Sequence, residues 1–192
     1  MSKTYYDTPL WDSSLSIEER LDYLLSEMTL EEKIQSMGTG NPEIERLGVP
    51  AFQVGGEAAH GVQARHDQKF DDNEPDLTTI FQNPIGMSAS FDEELIRKAG
   101  KVVGTEVRGL YSREHKGSLS VWAPTIDMER DPRWGRTEEA YGEDPLLTGK
   151  MAGAYVEGLQ GEDDHYLLTA ATLKHFYANN VEEGRVWKSS TV

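Results

Sequence analysis

The sequence predicts an α/β fold: about four βα units forming the first half of a (β/α)8 TIM-type barrel, preceded by short N-terminal helices. Three observations predict it. Apolar, strand-like runs alternate with helical periodicity from residue 49 onward, which is the pattern of parallel βαβ units. The residues able to do chemistry follow those strand-like runs, and a barrel of this kind carries its site at the C-terminal ends of its strands. A whole barrel typically needs about 250 residues, so a chain of 192 accounts for part of one. Half a barrel has open sheet edges, which predicts pairing with a missing C-terminal half of the barrel or with another chain. Residues 1–45 read as a lead-in with short helices, and 46–192 as the N-terminal portion of the barrel.

Residues 1–15 read as an extended lead-in containing Pro9 and Trp11. Ser16 followed by Glu19, and Thr29 followed by Glu32, have the spacing of capping boxes, in which side chain and backbone exchange hydrogen bonds at a helix start. Leu21, Leu24 and Leu25 supply the apolar face of the first helix, and Ile34 and Met37 that of the second. Gly38 to Pro42 ends the second helix. Leu47 to Val54 reads as the first strand, running into the Gly55-Gly56 pair, and residues 63–79 read as a polar loop. Ile85 to Ala89 reads as a short second strand. Ser90 and Glu93 make a third capping box, ahead of a helical stripe of Leu95, Ile96, Ala99, Val103, Val107 and Leu110 that belongs to the core. Leu119 and Val121 open a third strand, which meets Ala123-Pro124 and turns into charged loop. Asp144 and Pro145 mark a helix start, as N-cap and first helical residue. That helix carries Leu147, Met151, Ala154, Tyr155 and Leu159 and stops at Gly158 to Gly161. An acidic turn, Glu162 to His165, precedes a fourth strand, Ala170 to Phe176.

Hydrophobic residues at 37%, with four Trp, eight Tyr and five Phe, place the chain among globular proteins. A net charge of −15 repels nucleic acid and anionic membrane surfaces, so neither is expected as a partner. With no cysteine there is no disulfide and no thiolate chemistry. The N-terminus lacks an apolar signal segment and no stretch is long and apolar enough to span a bilayer, so a cytoplasmic location is the simplest expectation.

Three places hold residues capable of chemistry. After the third strand, Asp127, Glu129, Arg130, Asp131, Arg133 and Arg136 crowd around Trp134. Spacing alone fits either a site or a clasp that ties down a long loop. After the first strand come Glu57 and His60, which fit a loop carboxylate beside a packed histidine, or a site at a strand end. After the fourth come Lys174 and His175, either a snorkelling lysine with a histidine at the sheet edge or a pair that hydrogen-bonds vicinal hydroxyls. His66-Asp67 lacks a second ligand at metal-binding spacing, so no metal is expected.

The run from Ala123-Pro124 through Asp127, Arg130-Asp131-Pro132-Arg133-Trp134-Gly135-Arg136 and Glu139 to Tyr141-Gly142-Glu143-Asp144-Pro145 closely resembles the signature of glycoside hydrolase family 3. That family contains β-glucosidases, β-xylosidases and related exo-acting enzymes. Glu57-Ala-Ala-His60-Gly61 is similar to the family's acidic motif, whose acid binds hydroxyls of the sugar in the −1 subsite. Glu at this position is more usual in xylosidase-like members and some bacterial glucosidases. Lys174-His175-Phe176 matches the family's second sugar-binding motif. The resemblance runs from about residue 16 to the end.

It implies substrate-binding roles for Glu57, Arg136, Lys174 and His175, and a structural role for Asp127. Arg133 is expected to pair with a loop carboxylate and Trp134 to pack beneath the loop; Asn179, Asn180 and Arg185 are further lining candidates. In the family the Asp nucleophile lies well beyond the Lys-His-Phe segment and the acid/base later still. No catalytic nucleophile or acid/base is therefore expected in this chain, and no cofactor. The implied activity is a retaining, exo-acting β-glycoside hydrolase that removes terminal β-linked glucose or xylose from a β-linked oligosaccharide or aryl glycoside. The 192-residue chain alone is expected to be inactive. The family's β-N-acetylglucosaminidase branch carries Pro-Gly-His after Lys-His-Phe, from which Tyr177 to Asn180 depart. The alternative is a non-catalytic or truncated half-barrel that binds sugar or a partner chain.

Overall fold

The computed structural model describes residues 5–38, 40–62, 77–114 and 118–187. The chain divides into two compact units, Met1–Val54 and Gly55–Val192.

In the first unit, the lead-in is not extended: Tyr5–Asp7 and Pro9–Trp11 form single 3-10 turns. Pro9 favours this, because its fixed φ suits the first position of a helical turn. Helix α1 (Ile17–Glu27) and helix α2 (Leu30–Gln35) both begin with the expected capping boxes, Ser16 with Glu19 and Thr29 with Glu32. Neither helix buries a residue, and Ile17, Leu21, Leu25 and Ile34 are exposed. Arg46 holds the helix pair together by donating to Glu32 and to the Glu27 carbonyl. The strand expected from Leu47 begins later. Glu45–Leu47 is a 3-10 turn, and Gly48 ends it at φ 68°. A side chain there would be strained, and a Cβ would also lie 2.2 Å from the Tyr5 ring. Strand β1 (Gly40–Asn41) pairs antiparallel with the start of strand β2 (Phe52–Glu57).

The second unit holds helices α3 (Pro84–Ser88), α4 (Glu93–Glu114) and α5 (Pro145–Gln160), with strands β3 (Ser120–Trp122) and β4 (Ala170–Ala171). Here the strand order is β2, β3, β4. β3 and β4 run parallel with Ser120 opposite Ala170 and Val121 opposite Ala171, and a further parallel bridge joins Thr125 to Lys174. Residues 85–89, expected as a strand, form helix α3 as far as Ser88, with Ala89 as its C-cap. Pro84 occupies the first turn of α3, and a five-residue apolar run carries no periodicity that separates strand from helix. The third capping box is also corrected. Asp92 caps α4, its carboxylate accepting from the Leu95 N–H at 3.0 Å, while the Ser90 hydroxyl donates to the Met87 carbonyl.

Ile96, Ala99, Val103 and Val107 of α4 are buried against Met151, Ala154, Tyr155 and Leu159 of α5, with Val121, Ala123 and Tyr141. Leu95, placed in the same stripe by its spacing, is exposed. The helices cross at glycine. A Cβ on Gly158 would stand 2.1 Å from the Arg97 carbonyl, and one on Gly100 2.4 Å from that of Tyr155. Asp144 and Pro145 start α5 as expected, and Gly161 ends it at φ 80°. The Tyr155 hydroxyl donates to the Ala58 carbonyl at 2.6 Å, fixing α5 to the end of β2. The result is a partial TIM-barrel-like arrangement: short parallel strands on one side and long helices on the other. Among the described residues, no helix is long and apolar enough to cross a membrane.

Candidate active site

Each of the three strands of the second unit delivers chemistry where it ends. β2 ends on Glu57. Gly55 precedes it at φ 106°, with the Trp122 ring 3.0 Å from where a Cβ would sit, so only glycine brings the strand this close to β3. Beyond β3 the chain enters the charged loop, and a 3-10 turn, Thr137–Glu139, presents Arg136 and Glu139. Beyond β4 come Lys174 and His175. The Ala123–Pro124 and Lys174–His175 peptide bonds are both cis.

The four residues expected to bind substrate come together. Lys174 Nζ lies 3.0 Å from Glu57 Oε2, and Arg136 Nη1 lies 2.8 Å from His175 Nε2. The side chains of Arg136 and Lys174 are each 15% exposed and that of Glu57 27%, half-sunk in a cavity of about 660 Å3. Glu57, His60, Arg136, Glu139 and Lys174 form its polar wall, and Val62, Ile80 and Leu110 its apolar one. Leu110, assigned to the core by spacing alone, thus faces the cavity. His60 Nδ1 meets the Phe81 carbonyl at 3.1 Å.

Glu139, a position of the family signature to which sequence reasoning gave no role, joins the two cations. Its oxygens accept from Arg136 Nε at 2.6 Å and Nη2 at 2.7 Å, and Lys174 Nζ stands 3.4 Å from Oε2. Burial pushes the Glu139 carboxyl up, but the Arg136 guanidinium and the Lys174 ammonium outweigh it and hold it below the ordinary glutamate value. In return, Glu139 raises the guanidinium of Arg136 against the opposing effect of burial. The signal available in sequence was the i,i+3 spacing of Arg136 and Glu139.

Asp127 takes a positioning role. Its Oδ2 accepts from the His175 backbone N–H at 2.9 Å and pairs with His175 Nδ1 at 2.8 Å. An ionised carboxylate only accepts, so Nδ1 carries the proton. A guanidinium only donates, so Nε2 is an acceptor toward Arg136. The two neighbours therefore define a single neutral tautomer of His175.

The rest of the motif works as a clasp. Trp134 is buried and donates to Asn179 at 3.1 Å, while Arg130 donates to Asn180 at 2.7 Å. Asn179 and Asn180, considered as lining candidates, are engaged by the loop, and Arg185 pairs with Glu182. Arg133 grips Asp131 and holds its carboxyl down at about 2. His66-Asp67 and most of the polar loop at 63–79 lie outside the described residues. Among those described, no three His, Cys, Asp or Glu side chains are grouped as metal ligands would be.

Strand ends carrying carboxylates and cations around a cavity are where a barrel of this kind places its site, and similarity to known proteins identifies the class as glycoside hydrolase. The model of the glycosyl hydrolase family 3 N-terminal domain matches residues 29–189. The chain belongs to glycoside hydrolase family 3. It is 39% identical over 178 residues to exo-1,4-beta-xylosidase bxlB of Emericella nidulans, covering 92% of this chain and 23% of that protein. Among solved structures it superposes on a GH3 exo-beta-xylosidase, XlnD, in complex with a xylobiose aziridine probe, at a TM-score of 0.81 and 35% identity, over 94% of this chain and 23% of that one. Beta-glucosidase 3B of Thermotoga neapolitana, in complex with α-D-glucose, follows at 0.69 and 31%, over 85% and 24%. The chain thus spans about a quarter of the length of the relatives it matches.

Proposed function

We propose that this chain supplies the −1 sugar-binding half of a retaining, exo-acting β-glycoside hydrolase, with terminal β-linked xylose as the favoured sugar and glucose as the second. The observation that carries the reading is the Glu57–Lys174 pair at 3.0 Å on the cavity wall. Lys174 has three N–H donors; Glu57 and Glu139 lie close to its nitrogen, and the remaining donor capacity is open to a ligand. The second oxygen of Glu57 is an acceptor beside it. A donor and an acceptor side by side match the two hydroxyls of a vicinal diol, and the neutral pair suits an uncharged ligand. The similarity to xylosidases, stronger than to glucosidases by TM-score, supports xylose as the first choice.

In this reading the chain's residues bind and orient. Holding the ring fixed lowers the entropic part of the barrier to attack at the anomeric carbon. The chemistry needs two carboxyl groups about 5–5.5 Å apart, one nucleophile and one acid/base. The family resemblance gives Glu57 a binding role and places the Asp nucleophile well beyond the Lys-His-Phe segment and the acid/base later still. The reading therefore assigns the Asp nucleophile and the acid/base to sequence outside these 192 residues.

The test compares the 192-residue chain with the longest natural extension of its reading frame on p-nitrophenyl β-xyloside and β-glucoside. Hydrolysis by the extended form alone, faster on the xyloside, is the expected result. Hydrolysis by the short chain would overturn the placement of the carboxylates, a preference for glucoside the choice of sugar, and silence in both forms the enzyme reading itself.

A further inference from the structure

We propose that Glu139 is the positioning residue of this site, fixing Arg136 and Lys174 at one spacing and aiming Arg136 Nη1 at His175 Nε2. The sugar as ligand rests on the function proposed above; the geometry does not. Arg136 and Lys174 converge on the same oxygen, Glu139 Oε2, at 2.7 and 3.4 Å. Two cations so close and so little exposed repel one another unless an anion stands between them. Glu139 is that anion, and its own side chain is only 23% exposed.

The hub is itself anchored. The Thr125 hydroxyl donates to Glu139 Oε2 at 3.3 Å, and Thr125 is fully buried and bridged through its backbone to Lys174. The carboxylate is therefore tied to the β3–β4 bridge and not to a free loop. Arg136 spends Nε and Nη2 on Glu139, which aims Nη1 at His175 Nε2. Glu182 Oε2 approaches the same Nη1 at 3.8 Å, too far to aim it alone. Once Glu139 loses its charge, Arg136 is free to turn toward Glu182 or Glu57, and His175 Nε2 loses its donor.

The experiment uses the natural-length protein and the variants Glu139→Gln, which keeps shape without charge, and Glu139→Asp, which keeps charge with less reach. Long-range 1H–15N spectra report the two ring nitrogens of His175, and kinetics use p-nitrophenyl β-xyloside. The wild type is expected to show a protonated Nδ1 and a bare Nε2. Glu139→Gln is expected to keep the Nδ1 proton, held by Asp127, to shift the Nε2 resonance as its donor is lost, and to raise KM about 10–100-fold, the loss of charge-assisted hydrogen bonds, with kcat changed less. Glu139→Asp should fall between. A folded Glu139→Gln that leaves the Nε2 resonance unmoved and KM within about twofold, losing only Tm, would reduce Glu139 to a structural ion pair and overturn the proposal. If Glu139→Gln does not fold, Glu139→Asp decides alone: an unmoved Nε2 resonance and an unchanged KM overturn it. A wild type that hydrolyses no glycoside defeats the sugar reading, while the His175 spectra still decide the role of Glu139.

Discussion

Arg136 and Lys174 are long, flexible cations, and what makes them a site is the set of acids that stop them moving. The three acids have separate roles, since Glu57 faces the cavity beside Lys174, Glu139 spaces the cations and Asp127 orients His175. Because the Glu139 carboxyl is held below its ordinary value in the fold, the unfolded chain binds a proton there more readily. Its contribution to stability is therefore complete above the ordinary glutamate range and is lost as pH falls through the lowered value. Thermal unfolding measured across the acid range should fall less steeply in Glu139→Gln than in the wild type; parallel curves would contradict this. Asp127→Ala leaves the His175 backbone N–H and Nδ1 without their acceptor. A loss of about tenfold or more in kcat/KM is expected, since donors left without their acceptor cost about 1–3 kcal/mol, and it is measurable on p-nitrophenyl β-xyloside. The sequence pointed to Glu57, Arg136, Lys174 and His175 through their family motifs, where spacing alone left a clasp or a packed pair open. It did not show Glu139, whose meaning depends on Lys174 arriving from β4, 35 residues further on.

Elements legible in the sequence were those with a chemical signature at their ends. The capping boxes of α1 and α2 and the Asp144-Pro145 start of α5 stand where spacing put them. Two others lacked such a signature. Pro84–Ser88 is a short apolar run, equally compatible with either period, and Ser90 competes with Asp92 for the cap of α4. The α4–α5 crossing was also hidden, since Gly100 and Gly158 acquire their role only when the helices meet. Gly158→Ala would press a methyl group onto the Arg97 carbonyl. It should cost about 1–3 kcal/mol or more, measurable by urea denaturation. An exposed glycine with open space around it, Gly153, supplies the control: Gly153→Ala should stabilise by about 0.5–1 kcal/mol.

The whole chain combines exposed apolar residues with a strong negative charge. Ile17, Leu21 and Leu25 recur on one face of α1, and Phe176, Tyr177 and Trp187 are open to solvent beyond β4. Such surface favours association, and a net charge of −15 opposes it. Screening that charge removes the opposition, so sedimentation of the 192-residue chain should show self-association that grows as salt rises from about 0.01 to 1 M. A monomer at both extremes would show that the apolar residues are too scattered to act. The barrel class was legible from the alternation of elements and from chemistry at strand ends, whereas the contacts that assemble the site join segments distant in the chain, Arg136 to His175 across 39 residues and Glu57 to Lys174 across 117. The central claim is that this pair holds the terminal sugar, and its most direct test is kcat/KM on p-nitrophenyl β-xyloside for Lys174→Met in the natural-length protein. A loss of about 100-fold or more with the fold intact is predicted, because charge-assisted hydrogen bonds to the sugar disappear. A value within about twofold of the wild type would contradict it.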